Sequence, residues 1–232
     1  MAQTRGKGCL ILLYHKIGNP PTGSRQKGLW VSKDIFYREL LFLKERHIPV
    51  VGFKEKKEGI ILTFDDGYEN NFSNAFPILK AFNFKAIIFL VTKYIGKYNY
   101  WHNPQNEPYI KMLSIKEIKE MKQYGIEFGS HTYSHPHLDK LKIESVKEEL
   151  VKSKKMLEEI IKKKIIYFAY PYGKGIYNEN IKRALKETGY QYAFTMEKGL
   201  NTYEDNFYLK RVVVPNSFKE FKKIVSPLGY YE

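Results

Sequence analysis

The sequence contains a single cysteine, Cys9, among its 232 residues. An internal disulfide is therefore excluded, and no pair of thiols is available for a redox or metal-binding motif. Because Cys9 lies within an apolar stretch, we interpret it as a packing residue rather than a reactive thiol.

The sequence also lacks an apolar run of the roughly 20 residues that a membrane-spanning helix requires. The apolar run at residues 9–14 is too short for the core of a signal peptide and is followed by His15, so we interpret it as a strand. We therefore expect no transmembrane segment. The expected location is cytoplasmic, or extracytoplasmic if a leader has been removed.

Acidic residues are few relative to basic ones, 25 against 39, which gives a formal net charge of +14. Such an excess could attract an anionic polymer. However, the lysines are spread over predicted helix faces, and no nucleic-acid-binding motif accompanies them. We interpret the charge as a lysine-rich solvated surface and expect no nucleic-acid partner.

Hydrophobic residues make up 43% and charged residues 28% of the chain, which is typical of a globular protein. No linker and no internal repeat divides the sequence. We expect a single domain over residues 1–232.

Two adjacent carboxylates, Asp65 and Asp66, close the apolar run Gly-Ile-Ile-Leu at residues 59–62. This pattern predicts a buried strand that ends in a turn. Buried carboxylates without a partner are costly, so a cation or a cationic side chain is expected beside them. In isolation, Asp-Asp-Gly more often marks a simple turn in which an aspartate caps the backbone.

Two histidines, His131 and His135, follow a second strand-like run at residues 126–130. Positions four apart share one face of a helical turn and can bind the same metal. Two imidazoles and one carboxylate would leave a coordination position open for water, as in a catalytic site, with the second carboxylate free to act as a base. In isolation each histidine is better explained as a surface residue or a hydrogen-bonded core residue, but the combination favours a site.

These motifs resemble those of the polysaccharide deacetylases of carbohydrate esterase family 4, which share the NodB-type domain. Residues 63–67 match the first motif of that family, and residues 131–135 match the second. The stretch Phe-Ala-Tyr-Pro-Tyr-Gly at residues 168–173 is similar to its Pro-Tyr-Gly loop. The similarity extends from about residue 10 to residue 214, which is nearly the whole chain.

The resemblance implies that Asp66, His131 and His135 bind a divalent metal. Zinc is the favoured ion, with Co, Ni, Mn or Fe as alternatives. It also implies that Asp65 is the general base, which takes a proton from the attacking water.

The resemblance further implies that Pro171 and Tyr172 lie in a substrate-binding loop. The backbone N–H of Tyr172 would help to hold the oxyanion of the tetrahedral intermediate. Trp101 lies in an aromatic, irregular segment at residues 96–109 and is a candidate platform for a sugar ring. A loop packed on its own aromatic side chains is an equal alternative.

The sequence departs from the common family pattern at the general acid. That pattern has a histidine in a C-terminal Leu-x-His motif, whereas no histidine follows His137 here. Leu-Leu-Tyr-His at residues 12–15 instead resembles the circularly permuted branch of poly-N-acetylglucosamine deacetylases, in which this strand comes first. We therefore assign His15 as the acid that protonates the leaving amine, rather than as a core histidine.

A second departure concerns the arginine that orients the catalytic aspartate in many members of the family. Ala169 occupies its position, as in the permuted branch. Arg211, near a predicted strand end, is a candidate substitute, although a surface arginine is an equal alternative.

Strands and helices alternate along the chain, with crossovers long enough for right-handed βαβ units. About seven strands are predicted, close to the eight of the (β/α)8 barrel, and the resemblance implies an α/β fold, a distorted (β/α)7 barrel of parallel strands. Physical reasoning alone leaves an open doubly wound sheet as an alternative. Most of the candidate residues fall at predicted strand ends, where the chemistry of such barrels gathers. They are His15, Asp65, Asp66, His131, His135 and the Pro-Tyr-Gly loop at residues 171–173.

Our leading hypothesis is a metal-dependent hydrolase that removes N-acetyl groups from an N-acetylglucosamine-containing polysaccharide or oligosaccharide and releases acetate. The alternatives are an O-deacetylase of acetylxylan-type substrates, a cyclic amide hydrolase, and a non-catalytic sugar-binding domain. The intact aspartate and histidine motifs argue against the last. Nothing in the sequence indicates an oligomeric state.

Overall fold

A computed structural model describes residues 8–55 and 58–226 of the chain. Its strands are β1 Cys9–Tyr14, β2 Lys16–Ile17, β3 Trp30–Val31, β4 Gly59–Phe64, β5 Ala86–Leu90, β6 Glu127–Ser130, β7 Tyr167–Ala169, β8 Tyr192–Phe194 and β9 Val212–Val213. Its α-helices are α1 Lys33–Glu45, α2 Phe76–Phe82, α3 Ile115–Gln123, α4 Ile143–Ile161, α5 Glu179–Glu187 and α6 Phe218–Val225.

Seven of these strands form one sheet in the order β8-β7-β6-β5-β4-β1-β9, and every pair is parallel. The sheet curls, and its two ends meet in a single parallel bridge between Phe194 of β8 and Leu209, just before β9. This curled half-barrel of seven parallel strands confirms the predicted distorted barrel. It excludes the alternative of an open doubly wound sheet. The short strands β2 and β3 form a separate parallel pair that the sequence did not predict.

The strands are continuous apolar runs because both faces of the sheet are covered. Alternate residues of a strand point to opposite faces, so the sheet separates two cores. Leu10, Leu12 and Tyr14 of β1 pack outward among the helices. The inner core includes Cys9, Ile11, Ile61, Ile87, Phe89, Tyr167, Ala169, Phe194 and Leu209.

The helix boundaries follow their capping residues. Ser114 and Glu117 form a capping box at the start of α3. Ser217 accepts the backbone N–H of Glu220 at the start of α6. A π-helical turn, Asn71–Ala75, leads directly into α2. Pro77 lies in the first turn of α2, where a missing N–H costs little.

One buried carboxyl group belongs to this framework rather than to a predicted motif. Glu39 of α1 faces β1, and its Oε2 accepts a hydrogen bond of 3.0 Å from the hydroxyl of Tyr14. Its Oε1 has no hydrogen-bond partner among the described residues. Burial raises the pKa of Glu39 to about 8, although the Tyr14 hydrogen bond opposes the shift. The folded protein therefore retains this proton at neutral pH.

We expect Glu39→Gln to stabilise the protein at pH 8 and to change its stability little below the unfolded pKa. A carboxyl whose folded pKa exceeds its ordinary value of 4.5 makes the folded state less stable as the pH rises toward 8. The amide cannot ionise, so it removes that loss. Thermal unfolding at pH 8 and at a pH below 4.5 measures the difference. Glu148→Gln, at an exposed position, is the control for the loss of a charge. Parallel pH profiles for Glu39→Gln and the wild type would contradict the raised pKa.

Candidate active site

Four strands end at the candidate site, and each leads directly into a predicted residue. His15 follows β1, Asp65 follows β4 and His131 follows β6, while the Pro-Tyr-Gly turn at residues 171–173 begins two residues after β7. The backbone N–H of Asp65 donates to the carbonyl of Tyr14 at 2.9 Å, which continues the β1–β4 ladder into the site. Because all these strands are parallel, their C-terminal ends bring the residues together.

Asp66 lies between the two imidazoles. Its Oδ1 is 3.4 Å from Nε2 of His131 and 3.3 Å from Nε2 of His135. The three side chains are buried, and their ligand atoms lie within 4.8 Å of one another. Nδ1 of His131 is 2.8 Å from the carbonyl of Ala169, which leaves Nε2 free to bind a metal. One carboxylate and two imidazoles in this arrangement fit a divalent metal ion.

The two histidines converge through an irregular loop, so the predicted helical turn is wrong. Residues 131–137 contain no helix. The chain turns back because Thr132 and His135 adopt left-handed φ values of 67° and 65°, and Asp66 does the same at 73°. Such conformations are costly for residues other than glycine and cluster at functional sites. The spacing of four reflects a folded-back loop rather than helical geometry.

Glu149 of α4 holds this loop in place. Its carboxylate accepts the backbone N–H groups of Tyr133 at 2.9 Å and Ser134 at 2.8 Å, and the hydroxyl of Ser134 at 2.7 Å. Sequence analysis missed this residue because a glutamate on a long helix carries no local signal of such a contact.

Arg211 is fully buried and binds Asp65 through two hydrogen bonds of 2.7 Å each. Its Nε donates to the carbonyl of Thr195 at 2.8 Å. The surface alternative for Arg211 is therefore wrong. Its guanidinium holds the aspartate, although the motif position at Ala169 lacks an arginine.

The charges around the site set the protonation of both carboxylates. Burial raises the pKa of Asp65, but the adjacent Arg211 guanidinium outweighs it and holds that pKa below its ordinary value. Burial likewise opposes ionisation of Asp66, yet hydrogen bonds from His131 and His135 keep its pKa well below the ordinary value. Burial lowers the pKa of His135, which favours the neutral ring that a metal requires.

His15 lies beside Asp65, since it follows the residue whose carbonyl accepts the Asp65 N–H. Its side chain is buried, and its Nδ1 has no hydrogen-bond partner among the described residues. Burial lowers the pKa of His15, while the negative charges of Asp66 and Asp65 oppose the shift. The His15 ring therefore lies at the candidate site, and no hydrogen bond from the described residues fixes its Nδ1.

Two aromatic side chains flank His135. The ring of Tyr172 meets it edge-on at 4.5 Å and stacks on His137 at 3.9 Å, and the ring of Trp101 lies 5.0 Å from it. Pro171 is buried, and Tyr172 has a left-handed φ of 56°. Burial raises the pKa of Tyr172 to about 12, so its hydroxyl stays protonated.

A buried lysine also borders the site. Nζ of Lys16 is 3.2 Å from Oε1 of Glu107 and 4.6 Å from the centre of the Tyr68 ring. Burial lowers the pKa of Lys16, and the carboxylates of Asp66 and Glu107 oppose that shift. Glu107 also accepts hydrogen bonds from the Ser24 hydroxyl and from the backbone N–H groups of Arg25 and Gln26. No motif marks this pair, which joins β2 to the loop that carries Glu107, beside the candidate metal centre.

The sequence model for polysaccharide deacetylases matches residues 52–193, which include the aspartate, histidine and Pro-Tyr-Gly motifs. This chain belongs to the polysaccharide deacetylase family. Enzymes of this family use a divalent metal, and the cluster of Asp66, His131 and His135 provides a set of ligands for one.

Similarity to individual polysaccharide deacetylases extends over most of the chain. YxkH of Bacillus subtilis (strain 168), assigned to the polysaccharide deacetylases, is 32% identical over 216 residues, which cover 88% of this chain and 70% of the relative. A poly-beta-1,6-N-acetyl-D-glucosamine N-deacetylase of Staphylococcus aureus (strain MRSA252) is 31% identical over 208 residues, with coverage of 81% and 69%.

A solved structure supports the fold. IcaB from Ammonifex degensii superposes with a TM-score of 0.81 at 23% identity, covering 97% of this chain and 98% of that one. The chain is thus a hydrolase of the polysaccharide deacetylase type with the barrel fold of its relatives. Among residues 8–55 and 58–226, no helix is both long and apolar enough to cross a membrane.

We expect Arg211→Met to lower the free energy of unfolding by about 3–5 kcal/mol, because it leaves a buried carboxylate without its partner. In an Asp65→Asn background the same change should cost less, since no negative charge is then left unpaired. Urea unfolding of the four proteins of this double-mutant cycle measures the coupling. Arg183→Met, at an exposed helix position, is the matched control. Equal costs in both backgrounds would show that Arg211 only packs.

Proposed function

We propose that this protein is a metal-dependent hydrolase that removes N-acetyl groups from an N-acetylglucosamine polymer or oligomer and releases acetate. The observation that carries the proposal is the different environment of two adjacent carboxylates. Asp66 faces two imidazoles, whereas Asp65 is held by Arg211. The similarity to a poly-beta-1,6-N-acetyl-D-glucosamine N-deacetylase supports the choice of substrate.

Oδ1 of Asp66 and the Nε2 atoms of His131 and His135 would hold the metal. A set of two imidazoles and one carboxylate suits zinc and is the composition of several catalytic zinc sites. When bound, such an ion polarises the acetamide carbonyl and lowers the pKa of water toward neutrality.

Asp65 would act as the general base. Its Oδ2 is 4.0 Å from Nε2 of His131, so it borders the ligand set without joining it. Because its pKa is lowered chiefly by Arg211 against the effect of burial, the carboxylate is ionised and able to accept a proton from water. The bidentate contact also orients the carboxylate, which a general base requires.

His15 would act as the general acid. Cleavage of an amide expels a poor leaving group, so the nitrogen must gain a proton as the bond breaks. Burial lowers the pKa of His15 and so disfavours the protonated ring that this role needs, while the carboxylates of Asp66 and Asp65 oppose the shift. His131 and His135 face Asp66, whereas His15 follows directly after β1 at the same end of the barrel and is not one of the candidate ligands.

The Pro-Tyr-Gly turn would bind the reacting acyl group. The left-handed conformation of Tyr172 sets the direction of its backbone N–H, which we assign to the oxyanion. Its ring is fixed by stacking on His137. Trp101, whose ring centre is 5.0 Å from that of His135, would pack against the sugar that carries the acetamide.

A product assay tests the proposal directly. We expect acetate and free amines from N-acetylglucosamine oligomers, measured beside peptidoglycan fragments and acetylxylan. Acetate from acetylxylan alone would identify an O-deacetylase and contradict the N-acetyl assignment.

We expect His131→Ala to lose metal and activity together, and Asp65→Asn to keep metal while turnover falls about 10²–10⁴-fold. The asparagine side chain is nearly isosteric, but it cannot accept the proton. Metal content by elemental analysis and initial rates of acetate release separate the two effects. Full metal occupancy in His131→Ala would contradict the assignment of His131 as a ligand. Loss of metal in Asp65→Asn would show that the two carboxylates have been assigned the wrong roles.

We expect His15→Ala to keep its metal and fold but to lose most amide hydrolysis. An aryl acetate has a better leaving group and needs less protonation, so its hydrolysis should fall much less. Rates on both substrates, measured with the same enzyme preparation, give the comparison. Equal losses would assign His15 to structure or substrate binding.

A further inference from the structure

Three exposed tyrosines lie together on the loop after β5. The ring centre of Tyr100 is 4.9 Å from that of Tyr109 and 5.8 Å from that of Tyr98. Their exposed fractions are 46%, 44% and 47% for Tyr109, Tyr98 and Tyr100. We call these three residues the tyrosine cluster. An exposed group of aromatic rings on a folded protein is often a binding surface, and the proposed reaction does not use this one.

Ring contacts connect the tyrosine cluster with the candidate metal centre. Tyr100 lies 6.2 Å from Tyr94, Tyr94 lies 5.3 Å from Trp101, and Trp101 lies 5.0 Å from His135. The cluster therefore belongs to the same surface as the site but lies several ring contacts away from it. A polymer with one acetamide at the site could extend along these rings.

The loop that carries the tyrosine cluster is held rigidly from beneath. The buried side chain of Asn99 accepts the backbone N–H of Ile110 at 2.6 Å and donates to the carbonyl of Pro108 at 3.4 Å. An antiparallel bridge joins Tyr98 to Lys111. Glu107, in the same loop, is fixed by Lys16 and by three neighbouring donors. Binding to a surface that is already ordered costs less conformational entropy.

We propose that the tyrosine cluster binds a sugar unit of the polymer at a distance from the unit that loses its acetyl group. This inference rests on the proposed function. It adds that the enzyme prefers long oligomers, because only these reach both the site and the tyrosine cluster. Tyrosine suits the task because its ring has an electron-rich face for the C–H groups of a sugar and its hydroxyl can bond to sugar hydroxyls. Tyrosine also loses little side-chain entropy on binding.

The test compares chain lengths. For β-1,6-linked N-acetylglucosamine oligomers, we expect Tyr100→Ala to lower kcat/KM on a hexamer roughly three- to tenfold, mainly through KM, and to leave the dimer unchanged. Tyr100→Phe keeps the ring and should keep most of the hexamer activity. Tyr124→Ala is the matched control, because Tyr124 is an exposed tyrosine that follows α3. Thermal unfolding of each variant confirms that it is folded.

Several results would overturn the proposal. An unchanged dependence on chain length in Tyr100→Ala would show that the tyrosine cluster binds no sugar. Equal losses on dimer and hexamer would show that the substitution disturbs the site itself. A third result is that a single-stranded oligonucleotide binds more strongly than the hexamer, in a salt-dependent way that Tyr100→Ala abolishes. That result would assign the tyrosine cluster to nucleic acid instead.

A binding measurement separates this proposal from the proposed function. Calorimetry with the Asp65→Asn protein and the hexamer requires no turnover. If the wild type releases no acetate from any oligomer, the proposed function fails. Loss of hexamer binding in Tyr100→Ala would still support sugar binding by the tyrosine cluster. Unchanged hexamer binding in that variant would overturn it.

Discussion

Asp65 is buried next to the candidate metal ligands, and its negative charge needs a partner other than a metal ion. The buried guanidinium of Arg211 is that partner. Arg211 occupies both oxygens of Asp65 through bonds of 2.7 Å, and Asp66 alone faces His131 and His135. Because charge is costly to bury without a partner, the contact stabilises the fold and also divides the two aspartates into different chemical environments.

The surrounding loops are supported by residues that lie outside them. The histidine loop turns through left-handed residues and is held by Glu149 of α4. The opposite wall is held by the buried pair of Lys16 and Glu107, which are 91 positions apart. Strained or irregular backbone persists only where the surrounding structure fixes it. In this barrel, charged side chains bonded to loop backbone provide much of that support.

Local patterns predicted the alternation of strands and helices, about seven parallel strands and the motif residues, because burial and periodicity are properties of neighbouring positions. They did not reveal that Arg211 is buried, since that depends on Asp65 and Thr195 meeting across the barrel. They were wrong about the helical turn at His131, because a spacing of four also suits a loop that folds back. The pair of Lys16 and Glu107 was missed for the same reason as Arg211, as a lysine in a lysine-rich chain carries no local signal.

The place of Arg211 in the chain has a consequence for the order in which the site forms. The carboxylate and imidazoles of the candidate metal centre are complete at His135, but Arg211 comes only just before β9, which pairs with β1. During synthesis the chain emerges from its N-terminus, and earlier segments can fold first. The candidate metal ligands are thus present well before the guanidinium that holds Asp65. The candidate ligand set and the partner of Asp65 are therefore supplied at different lengths of the growing chain.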